Sequence, residues 1–125
     1  KKENIRLIGL AGYMRMLSGD FIGAYENKIL NIHPALLPSF KGAHGIKDAF
    51  EYGVKITGPT VHFVTLDMDA GPIILQSSVK VTEDDTEGTL AKAVHEEEHK
   101  IYPRAIQLFV EGKLKIEGQK VRILE

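Results

Sequence analysis

Lys28-Ile29-Leu30-Asn31-Ile32-His33-Pro34-Ala35-Leu36-Leu37-Pro38-Ser39-Phe40-Lys41-Gly42 is the stretch on which the reading of this chain turns. It opens as a short β-branched and leucine run, the pattern of a buried strand, and stops at Pro34. Residues two apart in a strand point to the same side, so Asn31 and His33 project together at its end. In open α/β sheets, ligands bind beyond the carboxyl ends of the strands. An amide and an imidazole placed there can hold a carbonyl oxygen and move a proton. They are the candidate active centre. The same two residues also fit a structural role, with Asn31 bonding backbone and His33 packed beside Pro34.

Working outward, Ile5 to Leu10 reads as a parallel, buried strand that ends at Ala11-Gly12. Ser18 is a candidate N-cap for a short helix through Phe21, Ile22 and Tyr25 that ends near Asn27. Downstream, Ile46, Ala49 and Phe50 share one helix face, and Gly53 is its stop. Thr60 to Thr65 reads as a strand, Asp67 to Pro72 as a turn, and Ile73 to Val81 as a strand antiparallel to the previous one. Glu83-Asp84-Asp85-Thr86 leads into a long helix that Pro103 must kink or divide. Leu114-Lys115-Ile116 and Val121-Arg122-Ile123 form a terminal hairpin. Strands alternating with helices make this an α/β domain, expected to fill residues 1–125. No Gly-rich phosphate loop of the kind that opens such folds is visible, so the chain reads as the C-terminal part of its domain.

Asp67 and Asp69 are the acids nearest another strand's end, and their structural reading is an Asx-turn pair. A carboxylate beside an imidazole orients the ring and favours its charged form, which makes a competent proton carrier. Spacing alone does not say which Asp serves. His62 lies mid-strand between Val61 and Phe63 and reads as a packed, satisfied ring; His44 reads as a surface loop residue. His95-Glu96-Glu97-Glu98-His99 matches the H-E-x-x-H pattern of zinc hydrolases. Glu at two intervening positions, Pro103 one turn on and the lack of a third ligand at a familiar spacing favour a solvated helix face instead.

Composition narrows the classes further. With 43% hydrophobic and 26% charged residues, the chain has the makings of one folded domain with a core. The formal charge of −1 offers no basic surface for nucleic acid and no polybasic membrane patch. Without cysteine there is no disulfide, no thiolate nucleophile and no Cys-based zinc site. No apolar run is long enough to span a bilayer, and a cytoplasmic location is expected.

Asn31 to Pro38, Gly58 to Val64 and Asp67 to Ile74 together resemble the folate-dependent formyltransferases. Leu10 to Ser18 and Glu98-His99-Lys100-Ile101-Tyr102-Pro103 are similar to the branch that formylates glycinamide ribonucleotide, the phosphoribosylglycinamide formyltransferases. The resemblance runs essentially end to end. It implies a Rossmann-like formyltransferase fold, with a predominantly parallel sheet flanked by helices and antiparallel C-terminal strands. It implies formyl transfer from 10-formyltetrahydrofolate to the amine of glycinamide ribonucleotide in de novo purine biosynthesis, with no metal. The implied catalytic trio is Asn31, His33 and Asp69. Met14, Arg15, Met16, Leu17, Asp67 and Asp69 would meet the folate; Ile32, Pro34, His95 and Glu98 would meet the nucleotide.

Small molecules are then the partners, with no nucleic acid or membrane, and homodimerisation is left open. The family's phosphate loop would precede residue 1, so the chain alone is expected to be weak or inactive. Two alternatives stand beside this reading: a formyltetrahydrofolate deformylase, with water as acceptor, and a zinc-dependent hydrolase through His95 and His99.

Overall fold

The computed structural model describes residues 8–11 and 29–124, with side chains described from residue 29 onward. The expected helix through Phe21 and Tyr25, its Ser18 cap and the Met14–Leu17 segment lie outside the described residues.

Strand β1 (Ile8–Ala11) pairs in parallel with β2 (Ile29–His33), as the buried-strand pattern predicts. Helix α1 (Gly45–Tyr52) follows the Pro34–His44 loop and ends at Gly53, which has φ of 89°. Two short strands, β3 (Ile56–Thr57) and β4 (Thr60–Phe63), come next. They are followed by β5 (Ile73–Gln76), β6 (Val79–Lys80), helix α2 (Glu87–Val110), β7 (Leu114–Glu117) and β8 (Lys120–Ile123). The main sheet runs β1-β2-β4-β5-β8-β7, and β3 pairs with β6 in a separate two-stranded sheet. β2 with β4, β4 with β5 and β7 with β8 are antiparallel, and β5 with β8 is parallel. Antiparallel pairing thus reaches into the middle of the described sheet. The short turn between β4 and β5 leaves no room for a parallel crossover.

One expectation is corrected here and another is narrowed. Ile73 to Val81 is not one strand: it bends after Gln76 and leaves the main sheet to pair with β3. The bend is where backbones cross, since a Cβ on Gly58 would lie 1.8 Å from the Ser77 carbonyl oxygen. Only glycine fits at Gly58. Of the kink or division expected at Pro103, division does not occur: the long helix is continuous from Glu87 to Val110. Proline removes one backbone donor, and the apolar residues on either side of it, Ile101, Tyr102, Ala105 and Ile106, pack on the core and hold the helix in place.

The core forms where α2 covers one face of the sheet: Leu30, Ile32, Val61, Phe63, Ile74 and Ala105 are its buried centre. Alternation then dictates the rest. Leu30 and Ile32 of β2 lie opposite Phe63 and Val61 of β4. Asn31 therefore lies opposite His62, and His33 opposite Thr60, on the other face. Four polar residues share one patch of that face.

Candidate active site

Asn31, His33 and Asp69 come together as the sequence reading expects, at 5%, 0% and 8% exposure. β2 supplies the first two from alternate positions, and the turn after β4 supplies the third. His33 Nε2 lies 2.8 Å from the carbonyl oxygen of Phe40. A carbonyl only accepts, so Nε2 carries the proton. Nδ1 then faces Asp69 Oδ2 at 3.7 Å and has no hydrogen-bond partner. The same Oδ2 accepts the Gly42 N–H at 2.8 Å. Asn31 Oδ1 is likewise buried without a partner.

His62 departs from its expected role. Its Nδ1–H donates to the Phe63 carbonyl at 3.0 Å, which leaves Nε2 bare and 3.8 Å from Asp69 Oδ1. The ring is half satisfied, and its open side faces the site. Asp69 thus stands between two imidazoles, one toward each oxygen. Burial pushes the His62 imidazole below its ordinary value; the His33 ring adds to this, and the Phe63 carbonyl and Asp69 carboxylate oppose it. The bare Nε2 of His62 faces the carboxylate. The alternation Thr60-x-His62, mirroring Asn31-x-His33, was the sequence signal that could have placed it here.

The loop after β2 and the turn after β4 each hold one residue in an unusual conformation. Phe40 and Asp69 are the non-glycine residues with positive φ among the described residues, at 55° and 53°. Each such residue costs on the order of 1 kcal/mol, a cost that a surrounding site must hold in place. One offers its carbonyl to His33, and the other its carboxylate. Gly45 closes the arrangement: a Cβ there would lie 3.2 Å from His33 Nε2 and 3.2 Å from the Ala35 Cβ. Beside Asp69 a pocket of about 220 Å³ opens, bordered by Leu37, Pro38, Lys41, Ala70, Ile73 and Gln119.

The remaining predicted residues fall into three groups. Met14, Arg15, Met16 and Leu17 lie outside the described residues. Asp67 is exposed and meets Thr65 only through its backbone carbonyl, so burial separates the two acids in favour of Asp69. The Ile32 side chain sits in the core beneath α2, because it occupies the opposite parity from Asn31 and His33. Its main chain alone is left to meet a ligand. Pro34 is half-buried at the mouth of the loop. His95 Nδ1 lies 3.0 Å from Glu98 Oε1 on the surface of α2. Among the described residues no three His, Asp or Glu side chains gather in a way that could hold a metal ion. Nor, among them, is any helix long and apolar enough to cross a membrane.

The formyl transferase family matches residues 1–106. The chain belongs to that family. It is 52% identical over 113 residues to the trifunctional purine biosynthetic protein adenosine-3 of Gallus gallus, covering 90% of this chain and 11% of that protein. Among solved structures, the glycinamide ribonucleotide transformylase 1 of Symbiobacterium toebii superposes with a TM-score of 0.93 at 55% identity, covering 96% of this chain and 57% of that one. A formyltetrahydrofolate deformylase from Pseudomonas syringae pv. tomato superposes with a TM-score of 0.91 at 32% identity, covering 96% and 40%. This formyl transferase chain spans little more than half the length of the first structure and about a tenth of the purine protein.

Proposed function

We propose that the protein carrying this chain transfers a formyl group from 10-formyltetrahydrofolate to the amine of glycinamide ribonucleotide, a step of purine biosynthesis. The observation that carries it is the buried Asn31–His33–Asp69 cluster in a chain of the formyl transferase family, with glycinamide ribonucleotide transformylase 1 at 55% identity. The neutral amine attacks the formyl carbon, and the carbonyl oxygen becomes an oxyanion. The tetrahedral adduct then collapses, releasing the folate nitrogen with a proton. Asn31 and a cationic His33 meet the oxyanion, the preorganised electrostatic role. Asp69 stabilises that cation and passes a proton from attacking amine to leaving nitrogen. In the structure the Phe40 carbonyl occupies Nε2–H, so this donor reaches the formyl oxygen only when that carbonyl yields.

The turn carrying Asp67 also exposes Leu66 and Met68, at 64% and 41%, as an apolar surface suited to the folate ring. Met14, Arg15, Met16 and Leu17 are assigned to the ring's other side, and Pro34, His95 and Glu98 to the nucleotide. The partners are small molecules, no metal takes part, and the setting is cytoplasmic.

The test is formyl release by the intact protein with glycinamide ribonucleotide or water as acceptor, with and without chelator. Ribonucleotide-dependent release that chelator does not touch and Asn31→Ala abolishes is expected. Release that ignores the ribonucleotide would make the protein a deformylase. Loss of activity with chelator would return attention to His95 and His99.

A further inference from the structure

Thr60 lies directly across from His33 in the sheet and is fully buried. Its hydroxyl uses all of its hydrogen-bonding capacity. It donates to the Ala35 carbonyl at 2.7 Å and accepts the Leu37 N–H at 3.1 Å and the Gln76 side-chain amide at 2.9 Å. The Gln76 amide also donates to the Leu37 carbonyl at 2.9 Å. Three main-chain groups of the loop's first limb are therefore held from β4 and the end of β5. The chain then turns, with the Ser39 N–H on the Leu36 carbonyl at 3.0 Å. The second limb delivers the Phe40 carbonyl to His33 Nε2 and the Gly42 N–H to Asp69 Oδ2.

We propose that Thr60, assisted by Gln76, is a positioning residue of this site: its hydroxyl clamps the loop that fixes the tautomer of His33 and the orientation of Asp69. Only two residues separate Leu37 from Phe40 and four from Gly42, and the Ser39 turn stiffens the path between them. A shift at the clamp is passed to both side chains at once. The hydroxyl is needed for its chemistry, since valine has the same shape but neither donates to Ala35 nor accepts from Leu37. Serine keeps both functions. Gln76 reaches the clamp from an exposed position, so its replacement tests the same idea without a core change.

This inference rests on the formyl transfer proposed above for its kinetic arm alone. In the intact protein, Thr60→Val, Thr60→Ser and Gln76→Leu are compared by steady-state formyl transfer and by ¹⁵N NMR of the His33 ring. Thr60→Val is expected to lower kcat on the order of 10- to 100-fold, the cost of a misplaced catalytic group, with the KM for the folate little changed. Its His33 signals should move from the Nε2–H tautomer to a mixture. Thr60→Ser should restore both, and Gln76→Leu should shift both in the same direction by less. A folded Thr60→Val with wild-type kcat and an unmoved His33 spectrum would overturn the proposal. Should Thr60→Val not fold, wild-type kinetics and spectrum in Gln76→Leu would overturn it equally. If the wild type transfers no formyl group, the reaction assignment fails, and the His33 spectra of the variants still decide the clamp.

Discussion

Asp69 shows how one carboxylate can serve two rings. His33 and His62 each spend one nitrogen on a backbone carbonyl and turn the other, unpartnered, toward it. Changing His33 or Asp69 to Ala should therefore cost activity severely, and the double change should cost little more. Additive losses in kcat/KM would show that they act separately. His62 has a different signature. Its pKa is depressed from the ordinary 6.5 by burial, so below that pH the unfolded chain binds a proton that the native one refuses. Stability is present above pH 6.5 and is lost as pH falls through and below it, by up to about 1.4 kcal/mol per pH unit. Urea unfolding across this range should show the loss in the wild type and a shallower one in His62→Gln; equal slopes would clear His62 of the effect. Gly45→Ala should lower activity by pressing a methyl on the His33 ring, 3.2 Å away, and assay of the folded variant tests this.

At the scale of elements, β2 and β4 divide the labour of the sheet by parity. One face carries Leu30, Ile32, Val61 and Phe63 to the core, and the other carries Asn31, His33, Thr60 and His62 to the site. That division was legible in β2, where the strand and its Asn-x-His pair stand out against apolar neighbours. For His62 the Thr60-x-His62 alternation gave the shared face but not the neighbour, because a sequence does not say which strand lies beside which. The register between β2 and β4 is a tertiary fact, set by packing on α2. Helix α2 was readable at its start. Thr86 caps it, its hydroxyl accepting the Thr89 N–H at 3.1 Å while the Thr89 hydroxyl accepts the Thr86 N–H at 2.9 Å. Asp85 adds a bond from the Thr89 hydroxyl at 2.7 Å. Thr86→Ala should cost about 1 kcal/mol of stability in chemical denaturation, with activity per folded molecule unchanged. The H-E-x-x-H pattern on this helix resolves into local pairs, His95 with Glu98 and Glu97 with Ser77 and Lys100. Spacing at i and i+4 puts two histidines on one face, but it cannot supply the third ligand.

Across the whole molecule, the terminal hairpin connects stability to the site. It lies beyond the 1–106 family match, yet Leu114, Ile116 and Val121 pack against the core, and β8 pairs with β5. Its turn reaches the site as well, through the Gln119 amide on the Ala70 carbonyl at 2.7 Å, next to Asp69. A chain cut after residue 106 should lose its cooperative thermal transition, and a sharp transition in circular dichroism would contradict this. The sequence by itself determined the α/β class, the strand that ends at His33 with its Asn31 and His33 pair, both helices described here and the hairpin. Periodicity, capping residues and turn chemistry are local, so the chain displays them directly. Only the tertiary structure decided that Asp69 lies between two histidines, that Ile32 turns away from the site, that Ile73 to Val81 serves two sheets, and that Thr60 clamps the loop. Each depends on which segments meet across tens of residues, and that follows from burying one shared core.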